Sequence, residues 1–314
     1  YGYDWQEGAP EAEHISFADA MSRAGRASLA TCDFDAPSYN PHYVYEDSKV
    51  LHTVWFLDGI TFYNQLAAVR NKHTGGFAVM RLGMEDPAIW DVMAMNMAQA
   101  PGKQELDLLA AIAPGETIAR IGKGNLITVV DERQSGYREV ARDNRAGLEQ
   151  GLSAHYQMFP RYLTVVHQGE GPPDSATITF DDGPDPDWTP GILDILKEKK
   201  VSATFFMLGA NMEKHPDLVR RIVREGHMIG VHTYTHPNIA EVSEERARLE
   251  FNATQRLIES ITGKSTVLFR PPYNADTNPH DAEELVPVKL AQAMGYMTVT
   301  EDIDPEDWAR PGVE

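Results

Sequence analysis

The amino-acid sequence predicts an α/β protein built from repeated strand–helix units. From about Asp174 onward, short β-branched or aromatic runs alternate with amphipathic helical segments, and glycine or proline punctuates the joins. Asp181, Asp182, His232, Arg270, Glu301 and Asp302 each follow a predicted strand directly. Parallel strands joined by right-handed helical crossovers give an open sheet or a barrel, and the C-terminal strand edge is where loops of such folds converge on one crevice.

In order along the chain, Ala176–Phe180 reads as a strand and Pro190–Lys200 as a helix with Ile192, Leu193 and Leu196 on one face. Val201–Leu208 is the next strand, Asp217–Glu225 a helix stopped by Gly226, and His227–Val231 the third strand. Ser243 can cap a longer helix that runs to Gly263. Val267–Phe269 is a strand, Val288–Met294 a helix stopped by Gly295, and Tyr296–Thr300 the last strand. The first hundred residues again read as βα alternation, with strand Leu51–Leu57, helix Tyr63–Lys72 and strand Gly76–Leu82. Between the two, Gly102–His167 reads as a β-rich connector with a helical stretch near Leu106–Ala113, strands such as Leu126–Val130, and turns at Pro114-Gly115 and Ser135-Gly136. The expected organisation is therefore residues 1–100, a connector over 101–170, and a second domain over 171–314.

A chain of 314 residues exceeds the usual single-domain size. Apolar residues make up 42% and charged residues 24%, enough for a core and unlike disorder or a coiled coil. The net charge of −19 would repel phosphate backbones and anionic lipid heads, so no nucleic-acid partner is expected. No run approaches the roughly 18 apolar residues that a membrane span needs, and no signal peptide opens the chain. The chain begins at Tyr1, already inside what reads as a strand end, and is expected to be a fragment of a longer protein. Cys32, the single cysteine, rules out an internal disulfide and a Cys-rich zinc knuckle.

His232 and His236 are spaced i, i+4, so a helical turn would project both imidazoles from one face toward one metal ion. Alone, that spacing equally suits a solvated histidine pair. Asp181-Asp182 precede Gly183-Pro184, which force a turn, and adjacent side chains at a strand end diverge, so one carboxylate can bind metal while the other faces a substrate water. Two histidines and a carboxylate also suit Fe(II) in non-haem oxygenases, whose usual all-β scaffold disagrees with the βα alternation.

The runs Thr179-Phe180-Asp181-Asp182-Gly183-Pro184, His232-Thr233-Tyr234-Thr235-His236, Arg270-Pro271-Pro272-Tyr273 and Asp304-Pro305-Glu306-Asp307-Trp308, in that order, resemble the NodB-homology polysaccharide deacetylases, carbohydrate esterase family 4. The resemblance covers roughly Asp174 to the end and implies a distorted, incomplete (β/α) barrel. It implies a metal-dependent hydrolase that removes N-acetyl groups from a chitin-like, peptidoglycan or exopolysaccharide chain, outside the cytoplasm. By motif position, Asp182, His232 and His236 would hold one divalent ion, Zn²⁺ first and Co²⁺ as another candidate. Asp181 would be the general base. Arg270 would fix it through paired hydrogen bonds, with Asp304 or Asp307 as counterweight. The backbone N–H of Tyr273 would face the oxyanion, Pro271 and Pro272 would stiffen that loop, and Pro272, Tyr273 and Trp308 would meet the substrate, Trp308 as a wall of the acetyl pocket. The family's last motif, a Leu-x-His supplying a general acid, does not appear before Glu314, so weak turnover is expected, or a carbohydrate-binding fragment without catalysis.

Tyr1–Trp5, His52–Asp58 and Gly76–Gly83 resemble the last strands of a glycoside hydrolase family 18 barrel, which implies a partial (β/α)8 barrel segment without the acidic cluster of that family. Similar fusions continue into a membrane-bound glycosyltransferase, so the resemblance implies a parent protein that is membrane-attached.

Overall fold

The computed structural model describes residues 1–27, 32–35, 38, 40–47, 49–69, 72, 75–143, 150–274, 279, 282–306 and 309. The chain forms two compact units, one of residues 1–121 and 131–164, the other of residues 122–130 and 165–314. The expected connector is thus no unit of its own. Its residues are divided between the two, 101–121 and 131–164 with the first and 122–130 and 165–170 with the second.

In the first unit, β1 (Gly2–Gln6), β2 (Glu13–Ile15), β3 (Asp33–Phe34), β4 (Pro41–Asp47) and β5 (Val50–Phe56) form a sheet in the order β2-β1-β5-β4-β3. Every pairing is antiparallel. This corrects the expected parallel βα arrangement and the partial (β/α)8 barrel for the described residues here. Asp47 opposes Val50 across a tight hairpin with Lys49 at φ 68, and so short a connection can only return the chain antiparallel. Gly76–Leu82 forms no strand. The predicted helix at Tyr63–Lys72 begins earlier, as α2 (Gly59–Val69); α1 (Phe17–Arg26), α3 (Ala88–Ala94) and α4 (Lys103–Ala110) complete the helices before residue 111. Phe17, Met21, Tyr43, Val54, Phe56 and Tyr156 pack in one core.

The β-rich stretch supplies β6 (Ala111–Ile112), β7 (Ile118–Gly122), β8 (Leu126–Gln134), β9 (Gly136–Arg142), β10 (Leu152–Met158) and β11 (Arg161–Gln168). Fully buried Arg138, on β9, donates to the Leu109 carbonyl and pairs with Asp58 and Asp86 at 3.3 and 2.7 Å. Those carboxylates also accept from the first turns of α2 and α3, through Thr61 and Ala88 backbone N–H groups, so one cation neutralises two helix caps.

The second unit carries β12 (Thr179–Gly183), β13 (Thr204–Met207), β14 (Met228–Val231), β15 (Leu268–Phe269) and β16 (Met297–Val299), paired in sequence order. All four pairings are parallel, as the strand–helix alternation predicts. β16 then pairs antiparallel with Leu126 and Ile127. The helices are α5 (Thr189–Lys199), α6 (Gly209–Lys214), α7 (Pro216–Arg224), α8 (Glu244–Thr262) and α9 (Val286–Ala293). The longest, α8, starts where Ser243 accepts from the Arg246 N–H and ends at Gly263 in the left-handed region. Phe205, Met207, Val231, Phe251, Ile258 and Phe269 are buried between sheet and helices. Among the described residues no helix is long and apolar enough to cross a membrane.

Candidate active site

The site occupies the C-terminal edge of the parallel strands, and local departures from regular backbone aim its side chains. Asp181 and Asp182 lie inside β12 rather than after it, because the strand begins three residues later than its apolar pattern suggests. Its register against β13 slips between Phe180 and Gly183, and Asp182 sits at φ 65. Such a bulge bends the strand and re-aims the side chains it carries. The Asn211 side chain at the start of α6 anchors it by donating to the Asp182 carbonyl at 2.8 Å.

His232 follows β14, its N–H bonded to the Met207 carbonyl in continuation of the ladder. His232 and His236 do not share a helical turn, which corrects the i, i+4 reading. The loop between them is irregular, with Thr233 at φ 71 and His236 at φ 62, and that path brings the second imidazole back beside the first. The ring centroids lie 5.2 Å apart. The loop's carbonyls at Thr233 and Tyr234 accept from Gly209 and Ala210, and a Cβ at Gly209 would lie 2.1 Å from the Tyr234 ring, so glycine is required there.

The Nε2 atoms of His232 and His236 approach Asp182 Oδ1 at 3.3 and 3.2 Å. The three ligand atoms lie within 4.8 Å of one another, a grouping able to hold a metal ion. His232 Nδ1 lies 2.8 Å from the Arg270 carbonyl, which can only accept, so Nδ1 carries a proton. With Nδ1 so engaged, His232 has Nε2 left to present to Asp182 or to a cation. The hydrogen bond from His232 holds the Asp182 carboxyl below the usual carboxylate range, against partial burial, with help from both imidazole charges. Burial pushes the His236 imidazole below its ordinary value, against the pull of Asp182. An ionised carboxylate and a neutral imidazole are what a cation requires.

Arg270 follows β15 and is buried, with the Phe206 ring 4.5 Å from its guanidinium carbon. Its Nη1 reaches Asp181 Oδ1 and Oδ2 at 3.1 and 3.3 Å and Thr179 Oγ1 at 2.7 Å. The expected paired bonds are thus one nitrogen shared by two oxygens. Nε and Nη2 are committed to the Val299 and Thr300 carbonyls, which turn the fork away from a side-on pairing. The second carboxylate near Arg270 is Glu301 at 3.8 Å, not Asp304, whose side chain caps the Glu306 N–H. Asp307 and Trp308 lie outside the described residues. Glu301 stood in the predicted polar edge, but its partner was not readable; Thr179 opens the acidic motif and looked like an ordinary strand residue.

Tyr273 is exposed, at φ 65, with its ring edge-on to His236 at 4.7 Å; Pro271 and Pro272 before it are buried. Asp182, Thr233, His236 and Tyr273 are four of the nine non-glycine residues at positive φ among the described residues. Left-handed backbone in such residues persists only where surroundings over-determine it, and it gathers at functional sites.

The α/β fold carries, at one strand edge, a grouping of two imidazoles and a carboxylate able to hold a metal ion. The chain belongs to the polysaccharide deacetylase family, whose model matches residues 168–299. A peptidoglycan-N-acetylglucosamine deacetylase of Bacillus cereus is 42% identical over 133 residues, covering 42% of this chain and 46% of that protein. A chitooligosaccharide deacetylase of Rhizobium leguminosarum bv. trifolii is 39% identical over 160 residues, covering 49% of this chain and 69% of that one. Among solved structures, a family 4 carbohydrate esterase from Streptomyces lividans in complex with acetate is 32% identical, covering 44% of this chain and 67% of that one, with a TM-score of 0.39. The chain thus spans about half the length of the Bacillus relative.

Proposed function

We propose that this chain carries the catalytic part, over residues 171–314, of a metal-dependent hydrolase that removes N-acetyl groups from an amino-sugar polysaccharide of the cell envelope. The observation that carries this reading is the meeting of Asp182, His232 and His236 beside a second carboxylate, Asp181, that Arg270 holds in place. Relatives named for peptidoglycan and chitooligosaccharide deacetylation support the substrate class.

Asp182, His232 and His236 would hold the ion, and a set of two nitrogens and one oxygen suits Zn²⁺, with Co²⁺ as a substitute. When bound, such an ion polarises an amide carbonyl and acidifies a water. Asp181, 29% exposed, takes the proton from the attacking water, and Arg270 aims its carboxylate. The backbone N–H of Tyr273 donates to the oxyanion as the carbonyl becomes tetrahedral, from a loop stiffened by two prolines. Pro272 and Tyr273 border the acetyl group and sugar.

The test is acetate release from an N-acetylglucosamine oligomer and from peptidoglycan, measured with and without chelation and Zn²⁺ restoration. Release that chelation abolishes and Zn²⁺ restores is the expected result. Bound metal and bound sugar with no acetate would favour a carbohydrate-binding chain without catalysis.

A further inference from the structure

Glu250 lies in the middle of α8, far along the chain from every motif, and is 2% exposed. Buried glutamates are rare unless paired, and this one faces the loop between the two histidines. Its Oε2 accepts from the backbone N–H groups of Tyr234 and Thr235 at 2.7 and 2.8 Å, and its Oε1 accepts from Thr235 Oγ1 at 2.8 Å. Arg246, one turn earlier on α8, pairs with Oε1 at 2.5 Å and also donates to Thr235 Oγ1. Burial alone would push the Glu250 carboxyl up; hydrogen bonds from Thr235 and Tyr234, with Arg246, outweigh it and hold the group below its ordinary value. It is therefore an anion whose two oxygens both accept from one loop, with Arg246 beside them.

The residues it grips, Tyr234 and Thr235, lie between Thr233 and His236, both in the left-handed region. Two neighbouring N–H groups pointing to one oxygen define the curvature that returns His236 toward His232. The loop is also tied by carbonyls accepting from Gly209 and Ala210, by Tyr234 Oη donating to Glu213 at 2.8 Å, by the His236 N–H donating to Thr233 Oγ1 at 3.1 Å, and by Tyr273 Oη donating to the His236 carbonyl at 3.4 Å. Glu250 is the group that answers its donors on the α8 side.

We propose that Glu250 is a positioning residue for the metal centre: by clamping Tyr234 and Thr235 it pre-forms the bend that sets His236 opposite Asp182, and so sets metal affinity. The inference rests on reading Asp182, His232 and His236 as a metal site. Groups that orient ligands from behind typically account for about 10- to 100-fold in metal affinity.

The experiment titrates Co²⁺ alone into the metal-free chain, followed by visible absorption, and repeats it with Zn²⁺ in competition. Glu250→Gln keeps the size of the side chain but turns one acceptor into a donor against the loop. The expected result is Co²⁺ and Zn²⁺ affinity lower by about 10- to 100-fold, with a displaced Co²⁺ band at saturation and an unchanged metal-free melting temperature. Thr235→Val, which removes one donor and leaves Glu250 in place, should weaken binding several-fold and decides the matter if Glu250→Gln does not fold. Unchanged affinity and band in a folded Glu250→Gln chain, or in Thr235→Val should the first not fold, overturns the proposal. Failure of the unaltered chain to bind Co²⁺ overturns the site itself, so the two failures are distinguishable.

Discussion

Arg138 and Arg270 are both buried, and each lies near two carboxylates, yet they serve different ends. The partners of Arg138, Asp58 and Asp86, are 0% and 2% exposed. Those of Arg270, Asp181 and Glu301, are 29% and 20% exposed. Tyr156 Oη closes the first cluster by donating to Asp58 at 2.9 Å, and the remaining acceptors are spent on helix caps. The second cluster keeps Asp181 reachable from solvent. A buried arginine is thus no sign of a working site by itself; an accessible edge on its carboxylate partner is.

The largest effect should come from the open cluster. Asp181→Asn is expected to lower acetate release by about 10²- to 10⁴-fold while bound Zn²⁺ stays unchanged, assayed on one preparation. Parallel loss of metal would mean that Asp181 is a ligand. In the closed cluster, Arg138→Leu leaves Asp58 and Asp86 uncompensated and should destabilise the first unit by about 3–5 kcal/mol in denaturant unfolding. Its Zn²⁺ affinity should not move; if it does, the contrast between the two arginines collapses.

Proton competition sharpens the contrast. His236 is shifted below the ordinary imidazole value and Asp182 below the carboxylate range, so both are metal-competent at neutral pH. Zn²⁺ affinity should hold through neutral pH and fall only below the ordinary imidazole value, as protons claim His236, by up to about tenfold per pH unit. A fall already under way between pH 8 and 7, seen by isothermal titration, contradicts the shift given for His236. The smallest effect belongs to a purely local feature: Ser243→Ala removes the α8 cap and should cost about 1 kcal/mol. Because α8 carries Glu250, any accompanying loss of Co²⁺ affinity would show how stiffly the helix transmits to the loop.

The sequence was most readable where local chemistry decides the backbone. Ser243 and Gly263 bound α8 as read, since a hydroxyl that accepts an N–H and a residue free to turn left-handed act within one turn. Asp182, His232 and His236 were identifiable because their motifs resemble those of the deacetylase family, and the structure brings them together. Their convergence path was not readable: a left-handed β-branched Thr233 is disfavoured locally, and the loop is held by α8 and α6 as well as by its own hydrogen bond from His236 to Thr233. The first unit misled for a related reason. Val50–Phe56 has a strand's composition, but its two neighbours, β1 and β4, are fixed by pairing that no pattern within the strand encodes. Glu301 was visible as an acidic residue at a strand end, whereas its approach to Arg270 depends on how the chain leaves β16.

Residue 270 also serves as a common mount for two moving parts of the chemistry. Its main-chain oxygen seats the imidazole of His232, while its guanidinium seats Asp181. A displacement of that one residue would carry the proposed metal ligand and the proposed proton acceptor in the same direction. Retuning the base independently of the cation would therefore require working around this residue, from the side of Thr179 or Glu301, rather than through it.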